Sequence, residues 1–316
     1  MNFPVFDLHC DTAGALIGFG ETAPSTLRQN NLHIDLERAS TLPGYAQCFA
    51  CFTTYSDKIS PVDLFEKTMM AFHREVGRNS DMISQVYSTK EIEQNLESGV
   101  VSAILTIEGP AGFDFDPALL EDLQKIGFRM STLGWNEKNP LVGSHITGGG
   151  LTQQGREYLK ELQRLGMLVD VSHISDEGFW DIIENTNGPV VASHSNSRAM
   201  HNISRNLTDD MFLAICKTGG VAGINLYADF LGENATIDTV CDHILHFLNL
   251  DPEGHHIALG GDLDGCDVLP QGFSGIQDYQ KLSARLLERG LTEDMVYNIF
   301  WNNAMGVMRH AVYNNA

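Results

Sequence analysis

Eight short apolar runs, each followed by a longer segment with helical spacing, predict an α/β fold, a (β/α)8 TIM barrel, for this chain of 316 residues. Two further observations agree. The runs are nearly continuous in Val, Ile, Leu, Ala and Phe, as parallel strands buried on both faces require. Histidines and acids gather at the C-terminal ends of five of them, the face on which such barrels build their sites. Length alone would allow about two domains, but α/β barrels exceed about 250 residues as one unit, so a single domain over 1–316 is expected.

In chain order the runs are VFDLH (5–9), AQCFACF (46–52), VSAILTIE (101–108), FRMSTLGW (128–135), MLVDVSH (167–173), PVVASHS (189–195), VAGINLY (221–227) and HIALGGDLDG (256–265). The stretch from Ser56 to Asn95 holds one or two helices, PVDLFEKTMMAFHREVG among them. Thr152 can cap LTQQGREYLKELQRLG, whose Tyr158, Leu159, Leu162 and Leu165 form an apolar stripe that ends at Gly166. Thr208 or Asp209 can cap DDMFLAICKTGG, and Thr292 the last long helix. A doubly wound sheet would carry a Gly-rich phosphate loop after its first strand. Here that strand ends in His-Cys-Asp, which favours the closed barrel.

Composition excludes some partners. The 41 acidic residues against 20 basic ones give a net charge of −21, which repels phosphate backbones and anionic lipid. Most of these acids belong to a solvated surface. The N-terminal MNFPVFDLHCDT has no basic n-region or signal-like apolar stretch, no run of about 18 apolar residues occurs, and HAVYNNA is polar. The six cysteines sit mostly in apolar segments, as reduced core thiols would, so a cytoplasmic location is expected.

The candidate ligands are His9 and Asp11 on the first run, Glu108 on the third, His173 on the fifth, His194 on the sixth, and Asp262 with Asp264 on the eighth. Residues two apart on a strand point to one side, so His9 and Asp11 can share an ion. Imidazole and carboxylate without thiolate suit Zn²⁺ or another divalent first-row ion. One histidine at a strand end is usually structural, and an isolated DxD is usually a solvated turn. Several elements ending the same way are not explained so.

The segments FDLHCDT, LTIEGP, LGMLVDVSHIS, ASHSNSR and GGDLDG resemble, in order and spacing, the motif set of the membrane (renal) dipeptidases, a family of zinc dipeptidases. The likeness runs from Phe6 to about Arg309. It implies two zinc ions per chain, one on His9 and Asp11, the other on His173 and His194, bridged by Glu108 and a hydroxide. It also implies that Asp262 handles protons and that Arg205 holds the terminal carboxylate of a dipeptide. Many members accept a D-residue at that C-terminal position, and a homodimer is a family expectation. Zinc can lower the pKa of bound water from about 15.7 toward about 7, which makes the hydroxide available at neutral pH.

One stretch departs from the family. Where many members have a histidine after the fourth strand, this chain reads LGWNEKNP, with Gly134 and Trp135. His145, in the glycine-rich GSHITGGG, is a candidate to take over that contact with the carbonyl oxygen. Trp135 and Tyr227 are expected to shape the substrate pocket. Asp170 and Ser172, alternating with His173, are expected to face away from the barrel axis and to act behind the ligands or in packing. Cys48 and Cys51 form a CxxC inside an apolar strand, which argues against redox or zinc-ribbon use. His243 and His246 read as part of a packed helix, and His201, His255 and His256 as loop residues, all outside the metal site. Two other functions fit the same residues. One is another binuclear amidohydrolase, such as an N-acyl-amino-acid deacetylase or a deaminase. The other is a non-catalytic relative that binds metal or peptide.

Overall fold

A computed structural model describes residues 2–18 and 26–311. Eight parallel strands close into a barrel: β1 (Val5–Cys10), β2 (Tyr45–Phe52), β4 (Val101–Glu108), β5 (Phe128–Thr132), β6 (Leu168–Asp170), β7 (Val190–Ala192), β8 (Val221–Ile224) and β9 (Ile257–Leu259). The ring shuts where Asp7 of β1 pairs with Leu259 of β9. Each of the eight overlaps one of the apolar runs of the sequence, although β5, β6, β7, β8 and β9 stop short of the ends expected for them. A ninth strand, β3 (Ile83–Gln85), pairs with the first residues of β4, on the flank that β5 takes further along. It is three residues long, too short to carry a periodic signal.

Helices at 61–78, 89–98, 120–125, 153–164, 176–185, 209–218, 237–250 and 279–288 surround the barrel. Their starts follow local chemistry. Ser60, Thr152, Thr208 and Thr292 each accept a hydrogen bond from the backbone N–H three residues on, as an N-cap does. Gly219 takes a left-handed conformation at φ +77° and ends its helix. The last helical segment starts at Glu293 and continues, through a π-helical turn at Asn298–Asn302, to Met308. No helix among the described residues is long and apolar enough to cross a membrane.

The core has two layers. Phe6, Leu8, Ala46, Cys48, Ile104, Met130, Leu168, Val191, Val221 and Ala258 pack together inside the barrel. Trp301, Ala304, Met305 and Met308 join them, so the C-terminal helix closes the end of the barrel at which the strands begin. The alternate strand residues, such as Val5, Val169, Val190 and Ala192, pack outward against the helices. The opposite end is left to polar side chains.

Candidate metal centre

Strand geometry decides which side chains reach that end. On β4, Ile104 belongs to the inner layer, so Thr106 and Glu108 share its side and Glu108 ends the strand facing inward. On β1 strict alternation would send His9 outward with Val5. The pairing of β1 with β2 shifts between Asp7 and Cys10, and Cys10 joins the outer layer with Val5. That irregularity turns His9 and then Asp11 toward the axis, the usual work of a bulge beside a site.

The other three come from beyond short strands. β6, β7 and β9 end at Asp170, Ala192 and Leu259, before His173, His194 and Asp262. His173 and Asp262 lie at φ +69° and +56°, a region that L-residues seldom occupy. The expected outward direction of Asp170 is therefore overturned, whereas a place behind the candidate ligand His194 is what it has. The chain leaves strand geometry at Val171, so alternation cannot be counted back from His173. Asp170 shares the side of Leu168, inside the barrel, where its carboxylate accepts from Ser172 N and Ser193 N, both at 2.9 Å, and from the Ser193 hydroxyl. Ser172 Oγ accepts from His194 N at 3.2 Å and lies 3.3 Å from Ser193 Oγ and 3.4 Å from Ser195 Oγ.

His9, Glu108, His173 and His194 converge. His9 Nε2 lies 3.4 Å from both Asp11 Oδ2 and Glu108 Oε2. Glu108 Oε1 is 3.1 Å from His173 Nε2 and 3.8 Å from His194 Nε2, and those two nitrogens are 3.0 Å apart. His9 stacks on His194 at 3.8 Å between ring centres. Asp262 Oδ1 stands 3.8 Å from His9 Nε2, and Asn225 Nδ2 donates to its other oxygen at 3.0 Å. Glu108 thus has one oxygen toward each group of donors.

The electrostatics suit a cation. Among the described residues, His9 Nε2 and Asp11 Oδ1 are buried with no hydrogen-bond partner. Orphaned buried polar atoms are costly, and the two ring nitrogens 3.0 Å apart can pair directly only if one of them carries a proton, a need that a shared cation removes. Burial pushes Glu108 up to about 7, with Asp11 adding to the rise and His9 opposing it. Burial likewise lifts Asp262 to about 6. Burial lowers His9, but Glu108 and Asp11 outweigh it and hold the imidazole well above its usual range. Burial and the neighbouring Arg205 keep His173 well below its usual value, and burial with His9 and Arg205 does the same to His194. The donor set fits divalent metal: neutral imidazole, carboxylate and a carboxylate placed to bridge.

A cleft of about 380 Å³ opens over these residues. Phe52, Trp135, Tyr227 and Phe230 form aromatic walls, and Asp11, Asp262, Asp264 and Asp267 line it with acid. Trp135 sits edge-on to Phe52 at 4.9 Å. Arg205 is buried behind the cleft wall rather than lining it, its guanidinium 5.5 Å from the ring centre of the wall residue Phe230. Its Nη1 donates to Ser195 Oγ at 2.7 Å, while Nε and Nη2 have no partner among the described residues. His145 is not on the cleft wall. Its ring lies behind His173, bonded to Asn136 and Ser204 at 3.0 Å each. His243 accepts from Ser197 N and donates to the Leu231 carbonyl, away from the centre.

Sequence reasoning missed Asp7, Asn136, Ser193 and Asn225. Asp7 accepts from His9 N and Gly261 N, both at 3.0 Å, and from the Tyr279 hydroxyl, so it ties β1 to the segment carrying Asp262. Asp7 and Asn225 did leave a signal, as single polar residues inside apolar strand runs. Asn136 lies in an aperiodic loop and left none.

Residues 1–316 match the family described as Membrane dipeptidase (Peptidase family M19). An uncharacterized dipeptidase of Schizosaccharomyces pombe is 34% identical over 216 residues, 66% of this chain. The match spans 53% of that relative's own length. A second uncharacterized dipeptidase of the same organism is 30% identical over 88% of this chain and 72% of its own. The fold is shared with a metallo peptidase from Rhodobacter sphaeroides, solved with a phosphinate mimic of the dipeptide L-Ala-D-Ala. That likeness has a TM-score of 0.88, 22% identity, and covers 98% of this chain and 100% of that one.

Proposed function

This chain belongs to the membrane dipeptidase family, peptidase family M19, and on that premise we propose that it hydrolyses the peptide bond of dipeptides with two zinc ions. His9 and Asp11 would hold one ion and His173 and His194 the other, with Glu108 between them. The distances around Glu108 and the orphaned atoms of His9 and Asp11 support this division. When bound, the ions supply Lewis acidity toward the scissile carbonyl and a water ionised near neutral pH.

The chain's own groups do the rest. Asp262 takes the proton of the attacking water and passes it to the leaving amine, a task suited to a carboxyl that burial pushes up to about 6. Asn225 holds that carboxyl in place. Phe52, Trp135, Tyr227 and Phe230 exclude water and contact the side chains of the substrate. The six cysteines are unpaired, which accords with a reducing, cytoplasmic setting.

One observation carries the choice of substrate. The free Nε–Nη2 edge of Arg205 is the side-on fork that receives a carboxylate in two parallel bonds. Asp267, a cleft acid with no part in the metal centre or the proton transfer, favours a free ammonium at the other end of the substrate, which a dipeptide has and an N-acyl amino acid lacks.

The test is turnover of zinc-loaded protein on L,L- and L,D-dipeptides beside their N-acetylated counterparts. Free dipeptides are expected to be cleaved, and Arg205→Lys to raise KM more than it lowers kcat. Cleavage of the N-acyl compounds alone, or of none, would overturn the proposal.

A further inference from the structure

Asn136, on the loop after β5, faces two imidazoles at once. Its Oδ1 lies 2.9 Å from His173 Nδ1 and 3.0 Å from His145 Nε2. An amide oxygen offers two lone pairs and no proton, so both facing ring nitrogens must carry hydrogen. His173 then has no proton on Nε2, the atom turned toward Glu108 and His194. His145 likewise has a bare Nδ1, which accepts from the Ser204 hydroxyl at 3.0 Å.

The arrangement is braced by its own backbone. Ser144 Oγ donates to the Asn136 carbonyl at 2.6 Å, and His145 N donates to the His173 carbonyl at 2.8 Å. The three residues cannot drift apart singly. His194 has a different support: its Nδ1 faces Ser193 Oγ at 2.7 Å, and that hydroxyl donates to the Asp170 carboxylate. Both imidazoles thus have the far nitrogen occupied, one by an amide and one by a hydroxyl backed by a carboxylate.

We infer that Asn136 is a positioning residue that keeps the proton of His173 on Nδ1 and so presents Nε2 bare to a metal ion. The inference rests on the proposed metal centre. Partners of this kind fix the tautomer and orientation of a ligating histidine, and their loss costs about 10–100-fold in metal affinity.

Long-range ¹⁵N–¹H spectra of histidine-labelled, full-length protein read the tautomer directly, before and during titration with zinc. His173 is expected as the Nδ1–H form in the metal-free wild type. Asn136→Asp keeps two acceptors and is expected to preserve that form with undiminished zinc affinity. Asn136→Leu, of similar size with no acceptor, is expected to mix the two forms and weaken zinc binding by about 10–100-fold. Should the leucine variant not fold, the aspartate variant decides alone, since loss of the Nδ1–H form there contradicts the inference. An Nε2–H form in the wild type, or unchanged zinc affinity in folded Asn136→Leu, would also overturn it. Neither readout needs a substrate, so a failed dipeptidase assay leaves this result standing. A wild type that binds no zinc would instead remove the centre itself.

Discussion

The two halves of the barrel differ in how much strand they keep. β1, β2 and β4 run for six, eight and eight residues, whereas β6, β7, β8 and β9 run for three or four. The long strands bury Phe6, Leu8, Phe49, Ile104 and Leu105 and deliver two site residues, His9 and Glu108, from within or at the end of regular structure. The short strands stop early, and the chain beyond them bends through positive φ at His173, Asp262 and Asp264. There, side-chain hydrogen bonds take over from the ladder, as Asp170 does for Ser172 and Ser193. One half holds the barrel together by apolar burial. The other gives up ladder bonds to aim polar groups.

The contrast predicts that activity and stability can be damaged separately. In the short-strand half, Asp262→Asn removes the proposed proton carrier while keeping shape. It is expected to lower kcat by about 10²–10⁴-fold, with zinc content and melting temperature close to wild type. Metal analysis beside steady-state kinetics reads both. Undiminished turnover would remove Asp262 from proton transfer.

The long-strand half should respond the other way. Phe49 is buried on β2 and meets Phe72 edge-on at 5.5 Å. Phe49→Ala is expected to cost about 3–5 kcal/mol in urea unfolding through lost burial and the cavity left behind. Turnover per folded molecule should hold. A large fall in kcat at normal stability would mean that the two halves are not separable.

The same contrast explains what was legible in the sequence. Apolar runs and caps are local signals, so all eight barrel strands and the Thr152 and Thr292 caps could be placed from residues alone, and the cap of the 209–218 helix narrowed to Thr208 or Asp209. His9, Asp11, Glu108, His173 and His194 could be grouped because barrel topology brings strand ends together. Side-chain direction could not be counted through irregular backbone. The bulge at His9 and the positive φ of His173 both break the period of two, and that is why Asp170 was assigned to the wrong side. Asn136 and the resting place of His145 depend on contacts between loops, which no spacing encodes.

Within the short-strand half, His243 gives a pH test. It bridges Ser197 N and the Leu231 carbonyl as a neutral ring, and burial holds its pKa below the usual value, only partly opposed by the bond to Leu231. The unfolded chain therefore binds more protons below about pH 6.5, so this contribution is complete above that pH and is lost as the pH falls. His243→Gln should lower stability by about 1 kcal/mol at pH 8. Its melting temperature should then fall less than that of wild type between pH 8 and pH 5.5. Parallel falls would show that His243 does not titrate with unfolding.

The smallest effect separates positive φ that serves a site from positive φ that only ends an element. Asp114 sits at φ +53° at the end of a 3-10 turn after β4, exposed, at the C-cap of Pro110–Phe113. Asp264 has φ +66°, but its carboxylate accepts from Thr12 Oγ1 and His33 N, both at 2.6 Å. Glycine takes this conformation without the clash of a Cβ, so Asp114→Gly is expected to be neutral or stabilising, by at most about 1 kcal/mol. At Asp264 the same relief is smaller than the loss of two partly buried hydrogen bonds, about 1 kcal/mol each, so Asp264→Gly should destabilise. Urea titrations of the two variants give the sign. A gain at both positions would mean that the strain at the site outweighs the bonds it makes.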